Sequence, residues 1–247
     1  MYGDYENIVF TREGGIVELR IHRNGGPALW APWGGLHRDL GLAFARLAAD
    51  PELRALILTG TGESFCAGLD MSLPFPTISA ANWDIIFREG RALLGSLMAI
   101  EVPVIAAVNG AAFVHAEIPL LADIVLASET AVFADKSHCI AGVVPGDGVQ
   151  VVWPMLLGPN RGRYFLLTGQ EIAAPEALAL GLVGEVLPAD RLSARAWDHA
   201  RTIAARPAVA NRYARIALTR SLRARLASEL DQGLVMEGLA LLAGAGM

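Results

Sequence analysis

Short apolar runs that stop at glycine turns recur along this chain, and stretches with helical periodicity lie between them. The clearest runs are 55-ALILTGTG-62 and 103-PVIAAVNG-110. Apolar runs of roughly four to eight residues bounded by turn signals are typical of buried strands. Ahead of the first run, 36-LHRDLGLAFARLA-48 has the apolar spacing of an amphipathic helix. Strands that alternate with helices in this way predict an α/β core.

The C-terminal part of the chain has a different character. From about residue 190 onward helical patterns dominate, and 206-RPAVANRYARIALTRSL-222 is the clearest of them. The fold class that follows is α/β with an α-helical C-terminal region. The expected strands are 7–10 and 16–21 as a hairpin, 55–62, 103–110, two within 124–134, and 184–188; the further expected helices are 83–99, 149–157, 161–168 and 173–181.

The composition predicts a large core and argues against several classes of protein. Hydrophobic residues make up 53% of the 247 residues and the mean hydropathy is +0.42, which a large core with buried subunit interfaces would explain. No apolar run reaches the roughly 18 residues that a transmembrane helix needs, so no membrane partner is expected. A formal charge of −5 with scattered Lys and Arg argues against nucleic-acid binding. Two cysteines and no visible signal peptide predict a reduced, cytoplasmic protein without a disulfide framework.

Three motifs together resemble the crotonase superfamily, the enoyl-CoA hydratase/isomerase fold. They are 55-ALILTGTGESFCAGLDM-71, 101-EVPVIAAVNGAAFVHAEIPLLADIVLAS-128 and 140-IAGVVPGDG-148, and 168-TGQEIAAPEALALGLVGEVLP-188 is also typical. The resemblance implies a crotonase-like spiral of ββα units over residues 1–190. It also implies a helical C-terminal region over residues 191–247 for packing and trimerisation, and a homotrimer or a dimer of trimers.

The same resemblance implies an oxyanion hole, in which two backbone N–H groups face a carbonyl oxygen that becomes negative in the transition state. By alignment with the family pattern, these N–H groups belong to Ala67, in FCAGLD, and to the VHAE loop near Val114. Small residues at 66–68 suit a close approach of the backbone. Without its neighbouring motifs, FCAGLD is more typical of a plain tight turn.

The chain departs from the hydratase pattern at the positions that carry acid and base. Glu117 stands where the first hydratase glutamate is found, but His115 replaces a glycine of that loop. His138, seven residues before Pro145, stands where the second glutamate is found. Because a water-adding hydratase works with two carboxylates, this exchange argues against ordinary hydratase activity.

The departures resemble a narrower branch, the β-diketone hydrolases typified by 6-oxocamphor hydrolase. The matching segments are 115-HAEIP-119, 135-DKSH-138, 144-VPGDG-148 and 151-VVWPMLLGPNRGRYFLLTGQE-171. Two single residues complete the resemblance, Trp30 near the first helix and Glu237 in the last. The branch implies hydrolysis of a carbon–carbon bond by a retro-Claisen route, without coenzyme A.

The residues suit this chemistry on independent grounds. Cleaving a 1,3-diketone needs a base for the attacking water, and a neutral imidazole suits that role near neutral pH, so we expect His138 to be the base. Asp147 can then orient the other ring nitrogen if the segment between them folds back. His115 and the indole N–H of Trp30 are candidate donors to the two carbonyls, and Glu237 is expected to position water or a histidine. No metal or cofactor is required, because the diketone already has an activated carbonyl and a stabilised leaving group.

Each candidate also has an ordinary structural interpretation. A loop histidine bonded to backbone, a turn aspartate between glycines and a satisfied core histidine are common roles for such residues. The competing interpretations are a loop role for His138, a turn role for Asp147, a core role for His115, plain packing for Trp30 with Trp33 as a rival, a helix-start role for Glu117, an exposed face for Glu237, surface positions for His22, His37 and His199, and apolar filling for Cys66 and Cys139.

Three functional hypotheses remain open on the sequence. The leading one is a hydrolase of cyclic or bulky β-diketones, and the second is a CoA-dependent hydratase or isomerase that uses Glu117. The third is a non-catalytic binding member of the fold, which a fold never excludes. A small molecule is the expected partner, and the loop 71-MSLPFPTISAANW-83 is expected to line its pocket through Leu73, Phe75 and Trp83.

Overall fold

A computed structural model describes residues 2–31, 33–73 and 77–244. Phe75, expected in the pocket wall, lies outside these residues. The helices are α1 Gly35–Ala48, α2 Ala80–Ala99, α3 Glu117–Leu120, α4 Val149–Leu157, α5 Pro159–Thr168, α6 Ala174–Ala179, α7 Ala189–Ala204, α8 Ala208–Leu218 and α9 Arg220–Gly244. The strands are β1 Ile8–Glu13, β2 Ile16–Ile21, β3 Leu29–Trp30, β4 Ala55–Thr59, β5 Ser64–Cys66, β6 Gly68–Leu69, β7 Val104–Val108, β8 Ala111–Ala112, β9 Ile124–Ser128, β10 Val132–Phe133, β11 Ile172–Ala173 and β12 Glu185–Leu187.

The main sheet has the strand order β1-β2-β4-β7-β9-β12. The predicted hairpin of β1 and β2 is antiparallel, and the other neighbours in this sheet pair in parallel. Every residue of β4 and of β7 is buried, as their continuous apolar runs predicted. Strands buried on both faces need helices above and below them, and the chain supplies these from its intervening segments.

A smaller sheet has the strand order β11-β10-β8-β5. After β4, β7 and β9 in the main sheet, the chain enters β5, β8 and β10 in the smaller sheet. This repeated step from one sheet to the other makes the spiral of ββα units. These small-sheet strands are only two or three residues long, so their periodicity cannot be recognised in the sequence.

Helices cover both faces of the main sheet. The larger core includes α1, α2 and α9 with the sheet's inner face, whereas α7 contributes Leu192, Ala196, Ala200 and Ile203 to a second cluster on its outer face. The boundary expected at residue 190 therefore falls within α7, a helix that packs directly on the sheet. The division into two regions remains a prediction.

The predicted helices were found with small shifts at their ends. The helix expected from residue 83 begins at Ala80, because the Ser79 side chain accepts a hydrogen bond from the Asn82 amide at 3.1 Å. None of the helices described combines the length and the apolar character that a transmembrane span requires. The long α9 packs against α2 and α4, and its residues line a common pocket with the loops that follow β8 and β10.

Candidate active site

The loops after β8 and β10, the loop before α4, and helices α1, α2 and α9 enclose a pocket of ≈ 150 Å³. Most of its surface is apolar, with one group of ionisable side chains. The apolar lining is Trp30, Leu69, Ile78, Trp83, Ile86, Val114, Val143, Leu234 and Leu241, and the polar lining is His37, His115, Ser137, His138, Asp147 and Glu237.

His138 lies at the start of a short 3₁₀ turn and is held by a carboxylate that the sequence interpretation did not assign. Its Nδ1 lies 2.8 Å from Oδ1 and 3.0 Å from Oδ2 of Asp135, both within the DKSH segment. The Ser137 hydroxyl also donates to Asp135 Oδ1, at 3.1 Å. Because Asp135 accepts from Nδ1, this pairing fixes which ring nitrogen of His138 faces the pocket.

Asp147 faces the other nitrogen of His138, so the expected order of the pair is corrected. Its Oδ2 lies 3.3 Å from His138 Nε2, on the side that was expected to face water, while Asp135 takes the orienting position. Asp147 is buried and is not a surface turn residue. The CIAGVVPG segment folds back as expected, and Gly148, at φ 116°, is the N-cap residue of α4 directly after Asp147.

His115 completes a row with Asp147 at its centre. Its Nε2 lies 3.5 Å from the same Asp147 Oδ2, and its Nδ1 lies 2.7 Å from Glu117 Oε1. His115 has a φ of 51°, a left-handed conformation that is uncommon for a residue with a side chain and that often marks functional sites. The Trp30 ring packs on the His115 imidazole with centroids 4.1 Å apart, so Trp30 belongs to the pocket wall.

His37 is a buried pocket residue, so its expected surface position was wrong. It is 3% exposed, and its Nδ1 lies 3.1 Å from Glu89 Oε2, an oxygen that also accepts the Gly34 amide. Burial lowers the pKa of His37, which keeps the imidazole neutral. The helical spacing to the buried Leu40 and Phe44 places His37 on the inner face of α1, a signal that was present in the sequence.

Glu237 enters the pocket from α9, and the alternative of an exposed face was wrong. Its Oε1 lies 3.9 Å from His138 Nε2, and the residue is buried. Burial and the neighbouring Asp147 carboxylate raise the pKa of Glu237 to about 8, so it carries a proton at neutral pH.

The carboxylates around His138 reverse the protonation state expected for it. Burial alone lowers the pKa of an imidazole, but Asp147 and Asp135 outweigh it and raise the pKa of His138 to about 12. Asp147 is correspondingly ionised, because His138 and His115 hold its pKa below the usual range despite burial. The resting pair is an ion pair, so the expectation of a neutral His138 base is corrected.

His115 and Glu117 form a second proton-holding pair. Burial works against the imidazolium, but Glu117 and Asp147 raise the pKa of His115 above its ordinary value. Burial likewise raises the pKa of Glu117, which has no solvent exposure and is absent from the described lining of the pocket. Glu117 therefore supports His115 from beneath and does not reach the pocket as a hydratase glutamate would.

The expected oxyanion hole is only partly supported. The Ala67 amide donates to the Ala28 carbonyl at 2.9 Å, because β3 pairs with β6 at this point, and Ala67 does not line the described pocket. Its role as an oxyanion donor was wrong. Val114 lines the pocket, and the role of its amide stays a prediction. Burial raises the pKa of the nearby Cys66 thiol to about 12, which fits an apolar filler.

The loop expected to line the pocket does so through its later residues. Trp83 lines the pocket as predicted, together with Ile78 and Ile86, while Leu73 is 39% exposed. Trp33, the rival of Trp30, is absent from the described lining.

One trio of metal-ligand side chains occurs in the described parts of the chain. The ligand atoms of His115, Glu117 and Asp147 all lie within 4.8 Å of one another. However, His115 uses Nδ1 toward Glu117 and Nε2 toward Asp147. A cation bound to one nitrogen would replace only one of these contacts, so the trio fits a chain of shared protons better than a metal centre.

Comparison with known proteins identifies the family. A model described as enoyl-CoA hydratase/isomerase matches residues 12–238. The chain belongs to the enoyl-CoA hydratase/isomerase family. Its fold is the mixed α/β crotonase fold, as the three motifs predicted. Among curated relatives, the short-chain-enoyl-CoA hydratase of Clostridium acetobutylicum is 31% identical over 95% of this chain and 87% of its own. The carnitinyl-CoA dehydratase of Citrobacter koseri is 35% identical over 81% of this chain and 73% of its own.

Solved structures of this family include one with a different chemistry. A β-diketone hydrolase from the cyanobacterium Anabaena sp. PCC 7120, bound to (S)-3-oxocyclohexyl acetic acid, is 43% identical, with a TM-score of 0.91. The match covers 96% of this chain and 94% of that one. An enoyl-CoA hydratase/isomerase from Mycobacterium paratuberculosis is 29% identical, with a TM-score of 0.87, over 95% of this chain and 93% of its own. The chain is thus an enzyme of the crotonase superfamily, with a β-diketone hydrolase among its structural neighbours.

Proposed function

We propose that this family member hydrolyses a carbon–carbon bond of cyclic or bulky β-diketones by a retro-Claisen route. The observation that carries the proposal is the buried row His115–Asp147–His138, with one carboxylate oxygen 3.5 Å and 3.3 Å from two imidazole nitrogens. The row opens into a largely apolar pocket that suits a compact, uncharged substrate. The similarity to the Anabaena β-diketone hydrolase points the same way.

The two imidazoles can act on the two carbonyl oxygens of a 1,3-diketone. The pKa of His138 is about 12, so this ring is a cationic donor at neutral pH, and Glu117 and Asp147 raise the pKa of His115 as well, which favours its cationic form. When substrate enters, the Nε2–H groups of His115 and His138 can turn from Asp147 to the carbonyl oxygens. Charge-assisted hydrogen bonds of this kind are roughly twice as strong as neutral ones. They would polarise one carbonyl for attack and stabilise the enolate that forms at the other.

Asp147 is the best-placed acceptor for a proton from water. Its Oδ2 faces the two histidines and becomes free to accept a proton when they turn to the carbonyl oxygens, whereas Oδ1 is buried away from solvent with no hydrogen-bond partner among the described residues. A carboxylate with a depressed pKa is a weak base, so the step depends on the imidazolium groups lowering the energy of the oxyanion at the same moment. Asp147 thus takes the base role that was expected for His138.

The reaction proceeds through a tetrahedral oxyanion and an enolate. Water attacks one carbonyl carbon, its proton passes to Asp147, and the carbonyl becomes a tetrahedral oxyanion beside an imidazolium. The bond to the central carbon then breaks, its electron pair forms the enolate, and the attacked carbon becomes a carboxylic acid. Glu237, protonated at neutral pH, donates a proton to the enolate carbon and recovers one from Asp147. The product is a ring-opened keto acid when the substrate is cyclic.

The alternative of an acyl-CoA hydratase rests on the names of several relatives. Two features of this site disfavour it. Glu117 is fully buried under His115, and His138 replaces the second glutamate. The two carboxylates that share acid and base duties in a hydratase are therefore not both available here.

A substrate panel tests the proposal. Purified protein should convert a bicyclic 1,3-diketone into its keto acid, detected by mass spectrometry, and should leave crotonyl-CoA unchanged. Asp147→Asn should reduce kcat about 10²–10⁴-fold, the range associated with a lost general base. Asp190→Asn, at an exposed position at the start of α7, is the matched control. Hydration of crotonyl-CoA without any diketone cleavage would overturn the proposal.

A further inference from the structure

The inner face of α9 forms one wall of the pocket. Leu234, Glu237 and Leu241 all line it, and their spacing of three and four residues places them on one side of the helix. Glu237 is the ionisable group among them. Its distance from His138 and Asp147 therefore depends on how α9 is seated.

Trp83, in the first turn of α2, contacts α9 at this wall. The indole Nε1–H donates to the Leu234 carbonyl at 3.0 Å. The same indole packs on Gly238 so closely that a methyl group there would collide with the ring. Trp83 also lines the pocket itself. A single side chain thus contacts both the substrate space and the helical turn that carries Glu237.

A second contact fixes α9 one turn earlier. Gly233 meets the backbone of Gly146, and added methyl groups would collide at either glycine. Gly146 directly precedes Asp147, and the Gly146 carbonyl accepts a hydrogen bond from Gln150 Nε2 at 3.0 Å. Glu237 therefore lies between two contacts on α9, one to the Asp147 loop and one to Trp83.

We propose that Trp83 is a positioning and specificity-determining residue, which holds Glu237 toward His138 and Asp147 and provides the apolar wall for the substrate ring. The inference rests on the proposed diketone hydrolysis and narrows its substrate to alicyclic diketones. An alicyclic ring can cover the indole together with Ile86 and Leu241, whereas a short open-chain diketone leaves part of this wall uncovered.

The contact of Trp83 with α9 has a consequence for the pH dependence of the reaction. Glu237 faces His138 at 3.9 Å, and the charges of Asp147, His115 and Asp135 also act on it. Burial is the largest cause of its raised pKa. Loosening Trp83 admits water to Glu237 and lowers that pKa, so the activity that needs its proton should disappear at a lower pH.

The experiment compares Trp83→Phe with Gly238→Ala, which attack the same contact from opposite sides. Both should lower kcat for a bicyclic diketone about tenfold or more, since small misplacements of catalytic groups are costly. Both should lower kcat for 2,4-pentanedione by a smaller factor, and in both the decrease of kcat at alkaline pH should begin at a lower pH. In a double-mutant cycle, Gly238→Ala should have little further effect once Trp83 is phenylalanine.

Two control variants separate this effect from general damage. Trp197→Phe removes an indole N–H that donates to Glu18 at 2.9 Å outside the pocket, and Gly95→Ala adds a methyl group in α2 where, apart from the helix's own backbone and the two chain neighbours, no described atom lies within 4 Å. Both should retain wild-type kinetics. If the wild type cleaves diketones but the kcat values and pH profiles of the Trp83 and Gly238 variants match it, the inference is overturned while the proposed function stands. A wild type inert on every diketone overturns the proposed function itself.

Discussion

At the scale of single residues, Asp135 is the decisive position that the sequence interpretation passed over. The D-x-x-H spacing is visible in the sequence, but the Pro-Gly turn favours Asp147, nine residues beyond His138, as its partner. The 3₁₀ turn that starts at His138 brings Nδ1 to 2.8 Å from Asp135 Oδ1. Asp147 is then free to face both histidines, which a sequence spacing cannot indicate.

Asp135→Asn should therefore impair catalysis without removing the pocket. Asparagine keeps the shape but loses the charge that orients and stabilises the His138 imidazolium, so kcat should fall about 10²–10⁴-fold while KM changes little. Loss of that charge should also lower the pKa of His138, which NMR titration of the imidazole can measure. Asp198→Asn, at an exposed position of α7, is the control. Unchanged kcat in Asp135→Asn would contradict the orienting role.

His37 illustrates a signal that was present but outweighed. Its charged neighbours Arg38 and Asp39 suggested a surface position, while the buried spacing of α1 placed it inside. The Glu89 carboxylate that holds it lies 52 residues along the chain, on α2. Helical periodicity was the better guide, because burial follows the face of a helix and not the identity of adjacent residues.

At the scale of elements, the packing of α9 on the loop before α4 depends on two glycines. Gly233→Ala places a methyl group against the Gly146 carbonyl, and overpacking of this kind costs about 1–3 kcal/mol. Because α-helical alanine is otherwise favoured over glycine by about 1 kcal/mol, the same change at Gly95 should stabilise the protein. Relative to wild type, the Tm of Gly233→Ala should fall and the Tm of Gly95→Ala should rise. A Gly233→Ala variant as stable as Gly95→Ala would contradict the close contact.

The long elements were predictable and the short ones were not. Runs such as ALILT and VIAAV identified β4 and β7, because five consecutive apolar residues leave few alternatives. The pair β3 and β6, two residues each, was missed, and it is this pair that engages the Ala67 amide. The error about the oxyanion hole thus followed from a missed element and not from a wrong view of the chemistry.

At the scale of the whole molecule, the motifs predicted six residues that line one pocket and two, Ala67 and Glu117, that do not, and they did not predict the charges of these side chains. The six are Trp30, Val114, His115, His138, Asp147 and Glu237, which come from four separate regions of the chain. Their protonation depends on how many carboxylates surround each histidine after folding, which requires distances. The family fold could therefore be inferred from sequence, whereas the assignment of acid and base could not.

The raised pKa values of His138, caused by its carboxylate neighbours, and of Glu237, caused mainly by burial, should make the stability of the protein fall as pH rises. His138 has a folded-state pKa of about 12, so its contribution is complete below its unfolded value of about 6.5 and is lost as pH approaches 12. Glu237 has a folded-state pKa of about 8, so the folded protein keeps a proton that the unfolded chain releases near pH 4–5. Between the unfolded and folded pKa values of each group, the folded protein holds one proton more than the unfolded chain. The free energy of unfolding then falls by about 1.4 kcal/mol for each pH unit and each such proton.

Glu237→Gln removes one of these titrating groups, so the stability of the variant should depend less on pH between about pH 5 and pH 8. Urea unfolding across that range should give a free energy of unfolding that falls less steeply with pH in the variant. Relative to its value at pH 5, the difference in stability should therefore favour the variant most near pH 8. Glu129→Gln, at an exposed position after β9, should follow the wild-type curve. Parallel curves for Glu237→Gln and wild type would mean that Glu237 is ionised in the folded protein. The proton donor of the proposed mechanism would then have to be another group.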